Sequence, residues 1–180
     1  KNLIKTDGSK NILAVHVHQD WGGAFADCGL YGEKTDAEVA LVPMADAGAW
    51  NAKYSLENLT EEPGFASIDY EGETDMKDGK GGFGNEGQAY RHTEWSGDNT
   101  DITIRRHFML AKAPDPTKTY IVKFRHDDEF TLWLNGDGNE IYDNAKIKAA
   151  NGTVIIRRGN NSGGTDCNKE WIDGMPADIH

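Results

Sequence analysis

His126-Asp127-Asp128-Glu129 sets an imidazole beside three carboxylates in four consecutive positions. Two further imidazoles, His16 and His18, stand two residues apart near the start of the chain. Three chemistries use such groups: acid–base catalysis, metal ligation and hydrogen bonding to a polar ligand. Glycoside hydrolysis requires two carboxyl groups that flank one bond. Asp127 and Asp128 are neighbours on a predicted strand over 121–135, so they point to opposite faces and do not meet that requirement. The acids Glu71, Glu73, Asp75 and Asp78 fall in a predicted loop with no supporting shell. Neither a Gly-x-Ser-x-Gly, an HExxH nor a P-loop pattern occurs. The chain therefore reads as a non-enzyme.

Metal ligation has two forms here. His16, His18 and His126 could bind a transition metal in principle, but no Cys accompanies them in sequence. Calcium suits the chain better. Asn135, Asp137 and Asn139 set oxygen side chains at alternate positions of a glycine-containing turn, like the opening of an EF-hand loop. The twelfth position from Asn135 is Lys146 rather than Glu, so the pattern is incomplete. Glu71, Glu73 and Asp75 form a second oxygen-rich stretch, and plain turn chemistry is the stronger reading of both stretches.

The third chemistry has the most support. Trp21, Trp95, Trp133 and Tyr90 offer aromatic faces, on which the apolar face of a sugar ring can stack. Trp21 and Trp95 lie beside glycines in predicted loops, and Trp133 falls on the outward side of its strand. Arg91, His18, His126, Asp127 and Asp128 could take the hydroxyls. His16 reads instead as part of a buried, satisfied network. Trp50 and Trp171 read as structural.

Short strands must position these groups. Residues 11–19 alternate Leu13, Val15 and Val17 against Ile12, Ala14, His16 and His18, with the first set facing a core. Further strands are expected near 24–31, 39–43, 102–110 and 154–158. Within 121–135, Phe130, Leu132 and Leu134 alternate with Thr131 and Trp133, and Asn135-Gly136 starts a turn. Residues 1–11 read as a lead-in, helical or irregular. Five glycines within residues 79–87 demand turns or close backbone approaches. About eight to ten short strands separated by turns predict an all-β sandwich or jelly roll.

Composition narrows the partners. Nineteen basic and thirty acidic residues among 180 give a formal charge of −11, which disfavours nucleic acid and anionic membrane surfaces. No apolar run approaches the roughly 18 residues of a membrane helix. Cys28 and Cys167 match no metal spacing; they form either one disulfide or two buried thiols. The chain opens in mid-flow, without a visible signal peptide, as a piece of a longer protein would.

Three stretches together resemble one family. They are Asn11-Ile12-Leu13-Ala14-Val15-His16-Val17-His18 with Trp21-Gly22-Gly23-Ala24-Phe25; Trp95 with Asp101-Ile102-Thr103-Ile104-Arg105-Arg106-His107-Phe108; and His126-Asp127-Asp128-Glu129-Phe130-Thr131-Leu132-Trp133-Leu134-Asn135-Gly136. Gly81-Gly82-Phe83-Gly84 adds a Gly-Phe-Gly segment. The chain resembles the galactose-binding-domain-like β-sandwich of carbohydrate-binding modules and of the sugar-binding domain of family 2 glycoside hydrolases. In that family the Asn-x-Leu-Ala-Val strand follows Leu-Asn-Gly; here it comes first. Either residues 1–31 close one permuted sandwich spanning 1–180, or residues 1–34 end one module and 35–180 begin the next. The resemblance implies a module of a secreted bacterial polysaccharide-degrading enzyme, acting beside the catalytic domain of its parent chain. It would bind a plant cell-wall glycan such as xylan or a β-glucan, and a structural Ca²⁺ is common in related sandwiches. The alternative it implies is a structural sandwich of a glycoside hydrolase or glutaminase-like enzyme, with no sugar binding of its own. With a bacterial source, the Asn-x-Ser/Thr sites at Asn58, Asn151 and Asn160 would carry no glycan.

Overall fold

The computed structural model describes the backbone of residues 4–5, 7–34, 37–88, 90–110, 120–126, 129–136, 140–143, 146–147 and 154–157. Thirteen strands run in chain order: β1 Asn11–Gln19, β2 Phe25–Lys34, β3 Ala37–Val42, β4 Trp50–Ser55, β5 Lys77–Gly81, β6 Phe83–Gly84, β7 Thr93–Glu94, β8 Thr100–Phe108, β9 Tyr120–His126, β10 Glu129–Leu134, β11 Glu140–Asp143, β12 Lys146–Ile147 and β13 Val154–Arg157. The described residues contain no α-helix, only two short 3-10 turns at Ala45–Ala47 and Glu71–Asp75.

The strands form two sheets. One has the order β12-β11-β10-β1-β8-β4-β5, and the other β13-β9-β2-β6-β7, with β3 paired to β2. Leu13, Val15 and Val17 of β1, Ile102 and Ile104 of β8, and Phe130, Leu132 and Leu134 of β10 meet Ala26, Cys28 and Leu30 of β2 and Phe124 of β9 in one core. Phe124 and Phe130 stack across it, centroids 4.5 Å apart and planes 11° from parallel. The chain is all-β, with two sheets over a common apolar layer.

The expected partner of the first strand is present. β1 lies antiparallel to β10, with Leu13 opposite Leu134 and Val17 opposite Phe130. It also lies antiparallel to β8, with Val15 opposite Ile104. It is thus an interior strand of the seven-stranded sheet. An amide lock fixes the register: the Ile12 N–H donates to Asn135 Oδ1 (2.8 Å), and Asn135 Nδ2 donates to Asn11 Oδ1 (2.8 Å). Asn135 adopts φ 57° to do this, a region Asn tolerates better than most residues.

Residues 121–135, expected as one strand, are two. β9 belongs to one sheet and β10 to the other, so the premise of one continuous strand over 121–135 is corrected. Asp127 and Asp128 lie outside the described residues. Of the residues expected to hold calcium, Asn135 accepts from the Ile12 amide through its side-chain oxygen. Asp137 and Asn139, like Cys167 and Trp171, lie outside the described residues.

Both faces of β1 are covered. Ala14, on the face away from the main core, packs with Phe65, Ala66 and Trp133. Residues 56–76 thus roof the outer face of the larger sheet, and Arg105 holds them there. Its side chain is fully buried; it donates to the Phe65 carbonyl, to Ser67 O (2.8 Å) and to Glu73 Oε2 (2.6 Å). Tyr70 lies against the guanidinium, 5.0 Å from ring centre to Cζ. Glu73 also accepts from His107 Nε2 at 2.8 Å, so it has the supporting shell its loop position did not suggest.

Asn135→Ala should lower unfolding stability by about 1–3 kcal/mol, since it frees the buried Ile12 amide and places a Cβ-branchless but chiral residue at positive φ. Urea unfolding should show an earlier midpoint with an unchanged slope; an unshifted midpoint would refute the lock.

Candidate functional site

The outer face of β1 turns polar toward its C-terminal end. There His16 and His18 stand opposite Thr103 and Asp101 of β8. Asp101 Oδ1 sits 2.8 Å from His16 Nε2 and 3.1 Å from His18 Nδ1. Burial alone would raise the Asp101 pKa, but the hydrogen bonds and charges of the two imidazoles outweigh it and hold the carboxyl below its usual range. An ionised carboxylate only accepts, so both facing nitrogens carry hydrogen: Nε2 of His16 and Nδ1 of His18. His18 Nε2 then lies 3.4 Å from Asp20 Oδ1.

Trp21 follows at once and is 80% exposed. Its loop is stitched on both sides. The Gly22 N–H donates to Asp98 Oδ1 (3.3 Å), the Asn99 N–H to Asp20 O (2.9 Å), and Asn85 Nδ2 to Gly22 O (3.4 Å). Gly22 takes φ 90°, which lets the chain turn at the tip. Accessibility thus rises along the row, with side-chain exposures of 11% for His16, 24% for His18 and 65% for Asp20, ending on the open indole of Trp21. Such a row offers oxygen and nitrogen groups at fixed spacing beside one aromatic plane. It can grip a polyhydroxylated ligand.

Of the sequence-predicted binding residues, His18 reaches Asp20, and the exposed Trp21 follows Asp20 in the chain. Trp95, expected in an exposed loop, is 2% exposed and belongs to the main core. Its backbone N–H donates to Gly84 O (2.9 Å), beside the parallel β6–β7 pairing. Trp133 does lie on the outward side of β10, but Phe65 covers it edge-on, centroids 4.7 Å apart. His126 is fully buried against Phe124 and Phe130. Tyr90 is 45% exposed and lies in a turn, its ring under Arg125 of β9 at 5.2 Å. Arg91, beside it, reaches Glu94 at 4.0 Å. Asp127 and Asp128 lie outside the described residues.

Sequence reasoning missed Asp101 and Asp20 as members of the row. Alternation placed His16 and His18 on one face, but only the β1–β8 register supplies the acid between them. It also missed Asp27, buried on β2. Burial pushes this carboxyl up to about 6, against hydrogen bonds from the Ala45 N–H and Trp50 Nε1 (2.9 Å each) and the nearby Arg125 and Arg106. Among the described residues no group of three or more His, Cys, Asp or Glu is placed to hold a metal ion. A recess of about 610 Å³ opens where residues 56–76 leave and rejoin the sheet, lined by Tyr54, Glu57, Glu62, Tyr70 and Asp75 among others; none of the predicted binding residues lines it.

No family model, curated protein or solved structure matches this chain. Its chemistry rests on the geometry above.

The carboxylates make opposite pH contributions. Asp101 and Glu73 are held below their usual range, so their stabilisation is present above about pH 4–4.5 and is lost as the pH falls through their lowered folded values. The raised Asp27 contributes fully below its ordinary value, about 3.9, and loses that contribution as the pH rises through about 6. Urea midpoints should therefore peak near about pH 4–4.5 and fall toward pH 6. Asp101→Asn should flatten the acid limb and Asp27→Asn the limb toward neutrality, the latter on the order of 2–3 kcal/mol. Identical pH profiles in all three proteins would refute these assignments.

Proposed function

We propose that this chain is a non-catalytic carbohydrate-binding module, a galactose-binding-domain-like jelly roll that serves a secreted bacterial polysaccharide-degrading enzyme. It tethers the catalytic domain of the parent chain to plant cell-wall glycan, with xylan and β-glucan as the leading candidates. The supporting observation is the open indole of Trp21 at the end of the His16–Asp101–His18–Asp20 row. A sugar ring stacks on the indole through its C–H face, while the adjacent carboxylate and imidazole take its hydroxyls. A single exposed platform predicts weak affinity per site, and the −11 charge suits a neutral glycan better than an acidic one.

A second reading has its own support. Two of the three tryptophans expected to meet ligand, Trp95 and Trp133, are buried packing residues. That favours a structural sandwich, packed beside a hydrolase or glutaminase-like domain and binding no sugar itself.

Affinity electrophoresis against soluble xylans, β-glucans and galactans separates the two. The binding reading expects retarded migration that Trp21→Ala weakens roughly tenfold without lowering Tm, the loss of about 1–1.5 kcal/mol of aromatic contact. Trp95→Ala should instead unfold the protein earlier, by about 3–5 kcal/mol. Unretarded migration on every glycan would leave the structural reading standing, and hydrolysis of aryl glycosides by the isolated chain would sink the non-catalytic claim.

A further inference from the structure

Three residues on the segments around the Trp21 loop carry buried polar atoms without a hydrogen-bond partner among the described residues. Gln19, the last residue of β1, has no exposed surface, and neither its Oε1 nor its Nε2 has a hydrogen-bond partner among the described residues. The same holds for Nε1 of Trp95, which is 2% exposed, and for Oδ1 of Asn85. All three residues belong to segments stitched around one loop. Gln19 pairs with Thr100 and leads into the loop. Asn85 reaches Gly22 O with its side chain and Ala24 O with its N–H. Trp95 is bound through its backbone N–H to Gly84, the residue before Asn85.

Native proteins rarely leave such atoms unserved, because each costs about 1–3 kcal/mol. Together they ask for one kind of guest. Gln19 Nε2 and Trp95 Nε1 need an acceptor; Gln19 Oε1 and Asn85 Oδ1 need a donor. Exchanging the Gln19 oxygen and nitrogen leaves this demand unchanged. A metal cation accepts nothing and a simple anion donates nothing. A hydroxyl oxygen does both.

We propose that the segments around residues 20–24 form a binding site for hydroxyl oxygen, lined by Gln19, Asn85 and Trp95. The hydroxyl comes either from ordered water or from a sugar whose ring reaches past Trp21. The water source stands whether or not the chain binds glycan; the sugar source rests on the carbohydrate-binding reading.

The Trp95 indole N–H reports on the site directly. NMR of the isotope-labelled chain should show a cross-peak from this proton to a long-lived water in the free protein, which identifies the water source. Addition of xylo- or gluco-oligosaccharide that replaces it with a cross-peak to a sugar proton identifies the sugar source. If neither cross-peak forms, the proposal is overturned. Gln19→Met, of similar volume, gives the second reading. Loss of the bridged carboxamide should lower Tm by about 2–8 °C. A rise in Tm would mean that Gln19 is an unserved amide in a dry core, and would overturn its part in the site.

Discussion

Everything described here depends on one interior strand. β1 pairs on one side with β8 and on the other with β10, and both its faces are buried. A strand in that position tolerates no slip, since a shift of one residue would send Val15 and Val17 outward and bring His16 and His18 into the apolar layer. The Asn11–Asn135 lock is the device that prevents it. It joins the start of β1 to the end of β10 through side chains that act on each other and on the Ile12 amide. The two asparagines that made the sequence resemble a known sandwich therefore do structural work. In this chain their spacing explains strand register and says nothing about a ligand.

Much of this frame was legible in the sequence. Alternation in residues 11–19 assigned the core face correctly, and the pairing of that segment with the Phe130–Leu134 stretch followed from the need to cover an apolar edge. The division into β9 and β10 was not legible, for a definite reason. Phe124 and Phe130 are an even number of residues apart and both point inward, so the period-two pattern runs on unbroken while the chain changes sheet. Trp133 failed differently. Its side of the strand was read correctly, but alternation reports only which side a residue faces; whether a distant segment covers that side depends on tertiary contacts. Trp95 sits among polar and glycine residues that suggest a surface loop, and the two-strand pairing beside it is too short to leave a sequence signal.

The cover over Trp133 is the work of Arg105. A guanidinium with no exposed surface is costly unless each of its donors is engaged, and here two carbonyls and Glu73 engage it. All three partners come from residues 56–76. The cation on β8 thus converts a long acidic loop into a fixed roof, and Phe65 and Ala66 fill the space beneath it. The roof covers Trp133 and reaches Thr103, which bonds Glu57 and Leu59 opposite His16. Exposure rises from there, to 24% at the His18 side chain.

That rise in exposure places the site at the end of the most constrained strand in the fold. Gln19 is wholly buried and Trp21, two residues later, is 80% exposed. Few arrangements carry the chain from core to solvent so abruptly. One needs a strand end that cannot fray and a loop tied down beyond it. β1 supplies the first through its two neighbours. Asp98, Asn99 and Asn85 supply the second. A backbone fixed in this way spares the loop the ordering cost that a partner settling on it would otherwise meet. The polar atoms left unserved around the loop fit the same logic. A loop that packed perfectly onto the core would need no guest, and it would also have no reason to hold an indole out in water.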